Sequence, residues 1–555
     1  MSNIKSHSTV SSTAKNEVEL RVDAVDDLRL DALEEHKISL RQILKAHPVP
    51  KFSPARIRLY VTICCLYLVA TCSGFDGSLM TSINTLDEYK EWFNLPESAS
   101  GTGLIFSIYT IGSMASTCLV WLGDYIGRVY TIGIGLVIVV IGSIISATTA
   151  NHKAFIAARF ILSFGVTLAT TSTPAYLLEV VPSDMKTLAL FYNTLYFVGS
   201  LIATWTMYGT EIHYKGTHKS FSIALWLQIL CPCIILSMLW LFPESPRYLY
   251  SKNKVEKSKA FVVKYHAGGD ENHPIVAAEM KQIAESFAQS GFLKPRDYLD
   301  FTVLIRTKAR QKRTLLVVIW SWFSQFSGNQ VITYYMTTLL LNLGVENATT
   351  RLLLTAVNSI VCLIFASFGV FTIERFGRRP ILLYACAGFI LCFAVLAGTT
   401  KAFEADNNNH VASRVGIAFI YIFQAVFFAF AFTPLQPTYP AEVFSNDMRA
   451  RGMALWHLVS NAAGTVNLYT APIAMANIKY WYYVFFCFWD AIELLVIYFF
   501  FVETSQLSLE EIEYIFTQPN SVKESIRLSN AARSGDTEVV KELFAHIDPV
   551  TSLDA

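Results

Sequence analysis

Runs of about 20 apolar residues recur along the chain between shorter polar connections, and twelve can be traced, at approximately 59–81, 101–122, 129–149, 154–177, 187–209, 221–242, 314–340, 351–373, 380–400, 413–436, 450–474 and 480–502. A helix needs about 20 residues to cross a hydrocarbon core about 30 Å thick. Lipid offers the backbone no hydrogen-bond partner, so only helices or closed barrels cross it, and continuous apolar runs rather than alternating ten-residue ones predict helices. The pattern therefore predicts an all-α membrane protein with twelve transmembrane helices. About 57 mostly polar residues precede the first run without a short basic-then-apolar leader at Met1, so the first helix is expected to act as its own insertion signal.

The runs fall into two sets of six. "PAYLLEVVPSDMK" begins at Pro174 and "PTYPAEVFSNDMR" at Pro437, and the two share Pro, Tyr, Glu, Val, Asp, Met and a final basic residue at one spacing. They close the fourth and tenth runs. "GDYIGRV" at Gly123 and "ERFGRRP" at Glu374 repeat the relation after the second and eighth. Parallel repeats of this kind are the architecture of transporters that rock two halves about a midplane site. The expected divisions are a tail over 1–57, a six-helix half over 58–242, a linker over 243–313, a second half over 314–502 and a tail over 503–555. In the linker, "NKVEKSKAFVVKYH" and "HPIVAAEMKQIAESFAQ" carry apolar residues at helical spacing, which predicts short amphipathic helices that either latch the halves or remain a solvated connection.

Composition agrees with the pattern. The chain is 53% hydrophobic and 16% charged, with mean hydropathy +0.40, too apolar for a soluble protein of this length. Lys and Arg gather on every second connection, with "HYKGTHK" as a basic exception. The positive-inside rule then places both termini and the Arg-bearing loops in the cytoplasm, and the Asn-Ala-Thr sequon at Asn347 outside. Nearly all ten cysteines, among them Cys64, Cys72, Cys231 and Cys487, fall inside the runs and read as packing residues rather than a disulfide framework. No His joins them at ligand spacing, so no metal is expected. The polar segments hold no nucleophile–base constellation or phosphate loop, which argues against an enzyme.

Charges at the helix mouths carry the next inference. Arg128, Arg378 and Arg379 are placed to pair with Glu179 and Glu442, and with Glu244 and Glu503, tying the bundle shut on its cytoplasmic side; the alternative is that they only mark topology. Asp76 in the first run and Arg159 in the fourth are ionisable groups within hydrocarbon, and Asp490 and Glu493 form a second acidic pair in the twelfth.

Taken in order, "GFDGSLM", the "GR" at Gly127, Arg159, "PESPRYL", "QFSGNQVITYY", the "GRR" at Gly377 and "VETSQLSLEEIE" give the chain a resemblance to the sugar porters of the major facilitator superfamily over roughly 55–515. "SGTGLIFSIYTIG", "KYHAGGDENHP" and "IKYWYYVFF" make it similar to a fungal branch with yeast lactose permeases and hexose transporters. The resemblance implies a multi-pass plasma-membrane transporter that moves a mono- or disaccharide by alternating access, with Asp76 and Arg159 coupling the sugar to protons. Arg128, Glu179, Glu244, Arg247, Arg378, Arg379, Glu442 and Glu503 would form the gating set. Its partners would be a sugar, protons and the lipid bilayer, with no cofactor and no nucleic acid, and the protein a monomer. An uncoupled sugar or polyol carrier and a transport-inactive sugar sensor are the alternatives; a tail of only about 53 residues after Val502 favours transport over sensing.

A sugar presents paired hydroxyls and an apolar ring face, so its site needs amide side chains and aromatics. The seventh run supplies Gln325, Gln330, Tyr334 and Tyr335, with Ser327 and Gly328 loosening the helix between the two glutamines; Asn193, Thr194, Gln436 and Asn461 are the other candidates, each also able to bond a neighbouring helix. The chain departs from the family pattern at Ser324, Gln330, Thr194 and Pro437, where Gln, Asn, Gln and Trp are usual, and at Val129, where a basic residue is. These changes leave the substrate open between hexose, disaccharide and polyol.

Overall fold

The computed structural model describes residues 47, 49–50, 52–93, 99–182, 185, 188, 191–290, 300–505, 507 and 509–534. Most of the predicted N-terminal tail and the end of the C-terminal one lie outside these. Among the described residues, eight helices are long and apolar enough to cross a membrane by length and composition: Pro54–Ile83, Arg128–Thr148, His152–Val180, Lys219–Leu241, Ala348–Ile373, Arg378–Ala405, His410–Val443 and Trp481–Phe500. Helices Ala99–Thr117, Leu195–Tyr214, Lys308–Phe326 with Asn329–Asn342, and Asn446–Asn477 take the remaining predicted positions. We number these spans one to twelve in chain order. Spans one to six and seven to twelve form two six-helix halves.

Local chemistry sets where the spans begin. Ser53 caps span one by accepting the Arg56 N–H at 3.2 Å, with Pro54 in the first turn, where its missing N–H costs nothing. Asn151 and Asn347 cap spans four and eight through the N–H groups of Lys153 and Thr349, each at 2.9 Å. Asn347, the sequon residue, is therefore exposed at a helix start.

Apolar stripes show which faces look outward. In span three Tyr130, Ile134, Val137, Ile141 and Ile144 are exposed at helical spacing, and in span twelve Phe485, Phe488, Ile492, Leu495 and Phe499 repeat the pattern. Such stripes suit contact with lipid tails. Inside, span one packs on five, three on four and nine on twelve, while two against eleven and five against eight join the halves. Hydroxyls meet across that junction: Thr110 and Thr465 at 2.7 Å, Ser200 and Ser359 at 3.0 Å, and Thr81 Oγ1 donating to the Thr333 carbonyl at 3.1 Å.

Between the halves the chain forms helices Pro246–Ser251, Val255–Tyr265 and Pro274–Ser290. Buried His266 bonds Glu279 at 2.6 Å through Nδ1 and the Val180 carbonyl, at the end of span four, at 3.0 Å through Nε2. Helix Pro274–Ser290 also packs on span eleven of the other half.

Candidate transport site and charge lattices

The duplicated phrase builds one lattice twice. Gly127, at φ +116°, turns the chain into span three, and the Glu244 carboxylate accepts the N–H groups of Arg128 and Ser245, each at 3.1 Å. Gly377, at φ +96°, turns it into span nine, and Glu503 accepts the N–H groups of Arg378 at 2.9 Å and Arg379 at 3.1 Å. A carboxylate on the unsatisfied N–H groups of a helix start is favourable. A β-carbon on either glycine would lie 2.6 or 2.7 Å from the capping carboxylate, so the close approach and the positive φ both require glycine.

The guanidinium groups complete each copy. Arg128 donates to Glu179 at 3.2 and 3.5 Å and also pairs with Asp124, while Ser245 Oγ donates to Glu179 at 2.5 Å. Arg378 forks onto Glu442 at 2.6 and 3.1 Å and donates to Ser505 Oγ at 3.2 Å, while Thr504 Oγ1 donates to Glu442 at 2.6 Å. The tyrosines of the phrase match as well: the Tyr176 hydroxyl donates to the Pro243 carbonyl, and that of Tyr439 to the Val502 carbonyl. Burial lifts the Glu244 carboxyl above its ordinary range, against the lowering pull of the Ser245, Arg128 and Val129 N–H groups.

Three expectations are corrected here. Each lattice closes within its own half, because Glu179 and Glu442 end spans four and ten, and Glu244 and Glu503 follow spans six and twelve, beside the arginine of the same half; the pairs do not join the halves. Arg379 donates its side chain to the Tyr498 carbonyl at 2.6 Å rather than to a carboxylate. Arg247 is exposed on helix Pro246–Ser251, outside the lattice.

The buried ion pair lies in the first half. Asp76, fully enclosed in span one, accepts from Arg159 Nη1 and, at 2.6 Å, from Gln228 Nε2 of span six. Arg159 also lies 5.1 Å from the centre of the Tyr109 ring. Gln228 was not singled out from the sequence, although a lone amide inside an apolar run was the available signal. A β-carbon at Gly77 would lie 2.8 Å from the Tyr196 hydroxyl and 3.5 Å from that of Tyr334, so span seven reaches the neighbourhood of the pair.

Span seven breaks at Ser327–Gly328, where Gly328 takes φ +74°, and bends again at Tyr335, with φ −115° and ψ 20°. The first break brings the glutamines together, Gln330 Nε2 donating to Gln325 Oε1. It also frees the Ser324 carbonyl, which accepts Asn329 Nδ2 at 3.0 Å and Gln436 Nε2 at 2.9 Å. Asn467 Nδ2 holds the Gln325 carbonyl at 2.9 Å. Gln436 thus supports the break. Tyr334 and Tyr335 flank Phe106 of span two at 5.6 and 4.9 Å between ring centres, and the Tyr335 hydroxyl donates to the Leu468 carbonyl. Asn461 turns its amide to the His457 carbonyl on its own helix. Asn193 and Thr194 lie in the tight turn Phe191–Thr194, ahead of Tyr196 in chain order.

Other polar groups face the same junction. Ser78, Thr81, Thr333, Asn358 and Gln424 line a cavity between spans one, five, seven, eight and ten. Gln424 Nε2 donates to Thr333 Oγ1 at 2.8 Å, yet Oε1 of Gln424, Oδ1 of Asn358 and Oε1 of Gln330 accept no hydrogen bond from the described residues. Buried acceptors of this kind match ligand hydroxyl donors.

A family model described as "Sugar (and other) transporter" matches residues 62–516. The high-affinity glucose transporter of Kluyveromyces lactis is 26% identical over 80% of this chain and 82% of its own. Hexose transporter HXT9 of Saccharomyces cerevisiae is 28% identical over 83% of each. Among solved structures, the inward-open xylose transporter XylE of E. coli superposes with a TM-score of 0.65 at 20% identity, covering 82% of this chain and 99% of that one. XylE described as a proton:xylose symporter, bound to 6-bromo-6-deoxy-D-glucose, gives 0.65 at 21% identity, covering the same shares.

Proposed function

Because the chain belongs to the sugar (and other) transporter family of membrane carriers, we propose that it takes up a mono- or disaccharide across the plasma membrane by alternating access, driven by protons that bind Asp76. The observation that carries this reading is the environment of Asp76: a carboxylate with no exposure, held by Arg159 and Gln228 and adjoining the tyrosines of spans five and seven. Protonating Asp76 removes the charge that Arg159 holds. The guanidinium is then released toward the Tyr109 face, and span one is freed to move against span seven. The sugar would bind between the halves, its hydroxyls on Gln325, Gln330 and Gln424 and its apolar face against Tyr334 or Phe106. Both termini and the charge lattices face the cytoplasm in this scheme, and the lattices keep each half rigid while the halves rock.

The relatives' names favour a hexose, and the symport named for XylE favours proton coupling. Uptake of a panel of radiolabelled sugars into transporter-deficient yeast, with and without a protonophore, tests both parts. The proposal expects accumulation of at least one hexose or disaccharide above its external concentration, abolished by the protonophore. Uptake that only equilibrates would identify an uncoupled carrier, and no uptake of any sugar would favour the sensor reading.

A further inference from the structure

Span twelve carries an acidic pair that the site above does not use. Its helix turns Phe485, Phe488, Ile492, Leu495 and Phe499 outward, and Asp490 and Glu493 lie on the opposite face with 0% exposure each. Glu493 Oε1 accepts the Trp489 indole N–H at 2.6 Å. Glu493 Oε2 and both Asp490 oxygens are enclosed and receive no hydrogen bond from any described residue. No Lys, Arg or His among the described residues pairs with either carboxyl. Span nine packs against this face and presents Cys386, which lies in the field of both acids, while Cys487 on span twelve itself lies in that of Asp490. Neutral thiols supply no compensating charge. Two unscreened carboxylates one helical turn apart in hydrocarbon would carry the full cost of desolvation and of mutual repulsion.

We propose that Asp490 and Glu493 form a proton-binding site in the second half, separate from Asp76 and Arg159, in which the carboxyls hold protons in place of charges and Trp489 links their state to span seven. The link is a packed one. The Trp489 ring lies 5.4 Å from Phe326 and 6.2 Å from Phe323, the residues that flank Ser324 and Gln325 just before the Ser327–Gly328 break. Movement of span seven at that break changes the packing of the indole that bonds Glu493. Deprotonation of Glu493 strengthens its hold on the same indole. The site does not depend on whether Asp76 drives uptake.

Infrared spectroscopy of the purified full-length protein in lipid tests the assignment, because a protonated carboxylic acid has a carbonyl stretch that a carboxylate lacks. At neutral pH the parent protein and Asp76→Asn are expected to show this band, and the double variant Asp490→Asn, Glu493→Gln to lose intensity there. Asp490→Asn alone should lose part of it, which keeps the test open if the double variant fails to fold. Raising the pH should bleach the band and shift tryptophan emission in the parent, with the emission shift absent from Trp489→Phe. Carbonyl regions that match in the parent and the amide variants would overturn the proton site. An emission shift that survives in Trp489→Phe would overturn the link to span seven.

Discussion

Glu442→Gln is expected to destabilise the protein more than Glu179→Gln, although the two glutamates occupy matching places in a repeated phrase. Arg378 meets Glu442 at 2.6 and 3.1 Å, with side-chain exposures of 14% and 23%. A charge-assisted hydrogen bond contributes about 1.5–3 kcal/mol. Glutamine keeps one acceptor but no charge, and partial solvent screening reduces the loss, so Glu442→Gln should cost about 1.5 kcal/mol. Arg128 meets Glu179 at 3.2 and 3.5 Å and keeps Asp124 as a second carboxylate when Glu179 is neutralised. Its loss should be about 0.5 kcal/mol. The difference of about 1 kcal/mol, over an unfolding entropy of about 2.1 cal/mol/K per residue, corresponds to a melting midpoint about 1 °C lower for Glu442→Gln. Thermal unfolding of the purified variants, followed by tryptophan emission, measures it. Equal midpoints, or a lower one for Glu179→Gln, would refute the claim that Asp124 makes the first lattice the more redundant.

In span seven, Gln325→Ala or Gln330→Ala strands sugar hydroxyls, a loss of about 1–3 kcal/mol, so the half-saturation concentration should rise at least several-fold; an unchanged value would place the sugar elsewhere. Gln330→Asn should alter preference among sugars more than maximal rate, read from competition between labelled substrates. For the linker, burial lowers the affinity of His266 for its proton, but the charge and hydrogen bond of Glu279 and the Val180 carbonyl outweigh it and raise the imidazole above its ordinary value of 6.5. The stabilisation is therefore complete below 6.5 and is lost as pH climbs through the raised folded-state value. Limited proteolysis of the linker should accelerate as pH rises above 6.5 through that window in the parent and lose its pH dependence in His266→Gln; a flat parent profile would remove His266 from the docking contact.

Much of the architecture was legible because lipid permits so few solutions. A backbone with no water to bond must be helical, and a helix facing tails must be apolar, so the spans stand out before any motif is considered. Four of the twelve are less distinct by length and composition, and two of these are instructive: span seven carries Gln325, Asn329 and Gln330, and span eleven carries Asn461 and Asn467. Polar residues that bond backbone carbonyls inside the bundle dilute the signal that identifies a span. Repetition made the arginines and glutamates legible as groups, since matching residues at matching helix ends imply matching contacts. Direction was not legible. Adjacent Arg378 and Arg379 point apart, one to a carboxylate and one to a carbonyl, and only the positive φ of Gly377 and the run of Glu503 bonds explain why. Gln228 looked like one amide in span six until the fold placed it on Asp76, 152 positions earlier in the chain.

The measurement closest to the central claim is sugar movement by Asp76→Asn in proteoliposomes, compared in two modes. In accumulation mode a proton gradient drives labelled sugar inward; in exchange mode sugar on both sides swaps without net proton flow. The account predicts that the parent protein accumulates and exchanges, whereas Asp76→Asn exchanges at a comparable rate but no longer accumulates. Accumulation by Asp76→Asn at the parent's level would contradict it, because the proton would then enter by a route that does not use this carboxyl.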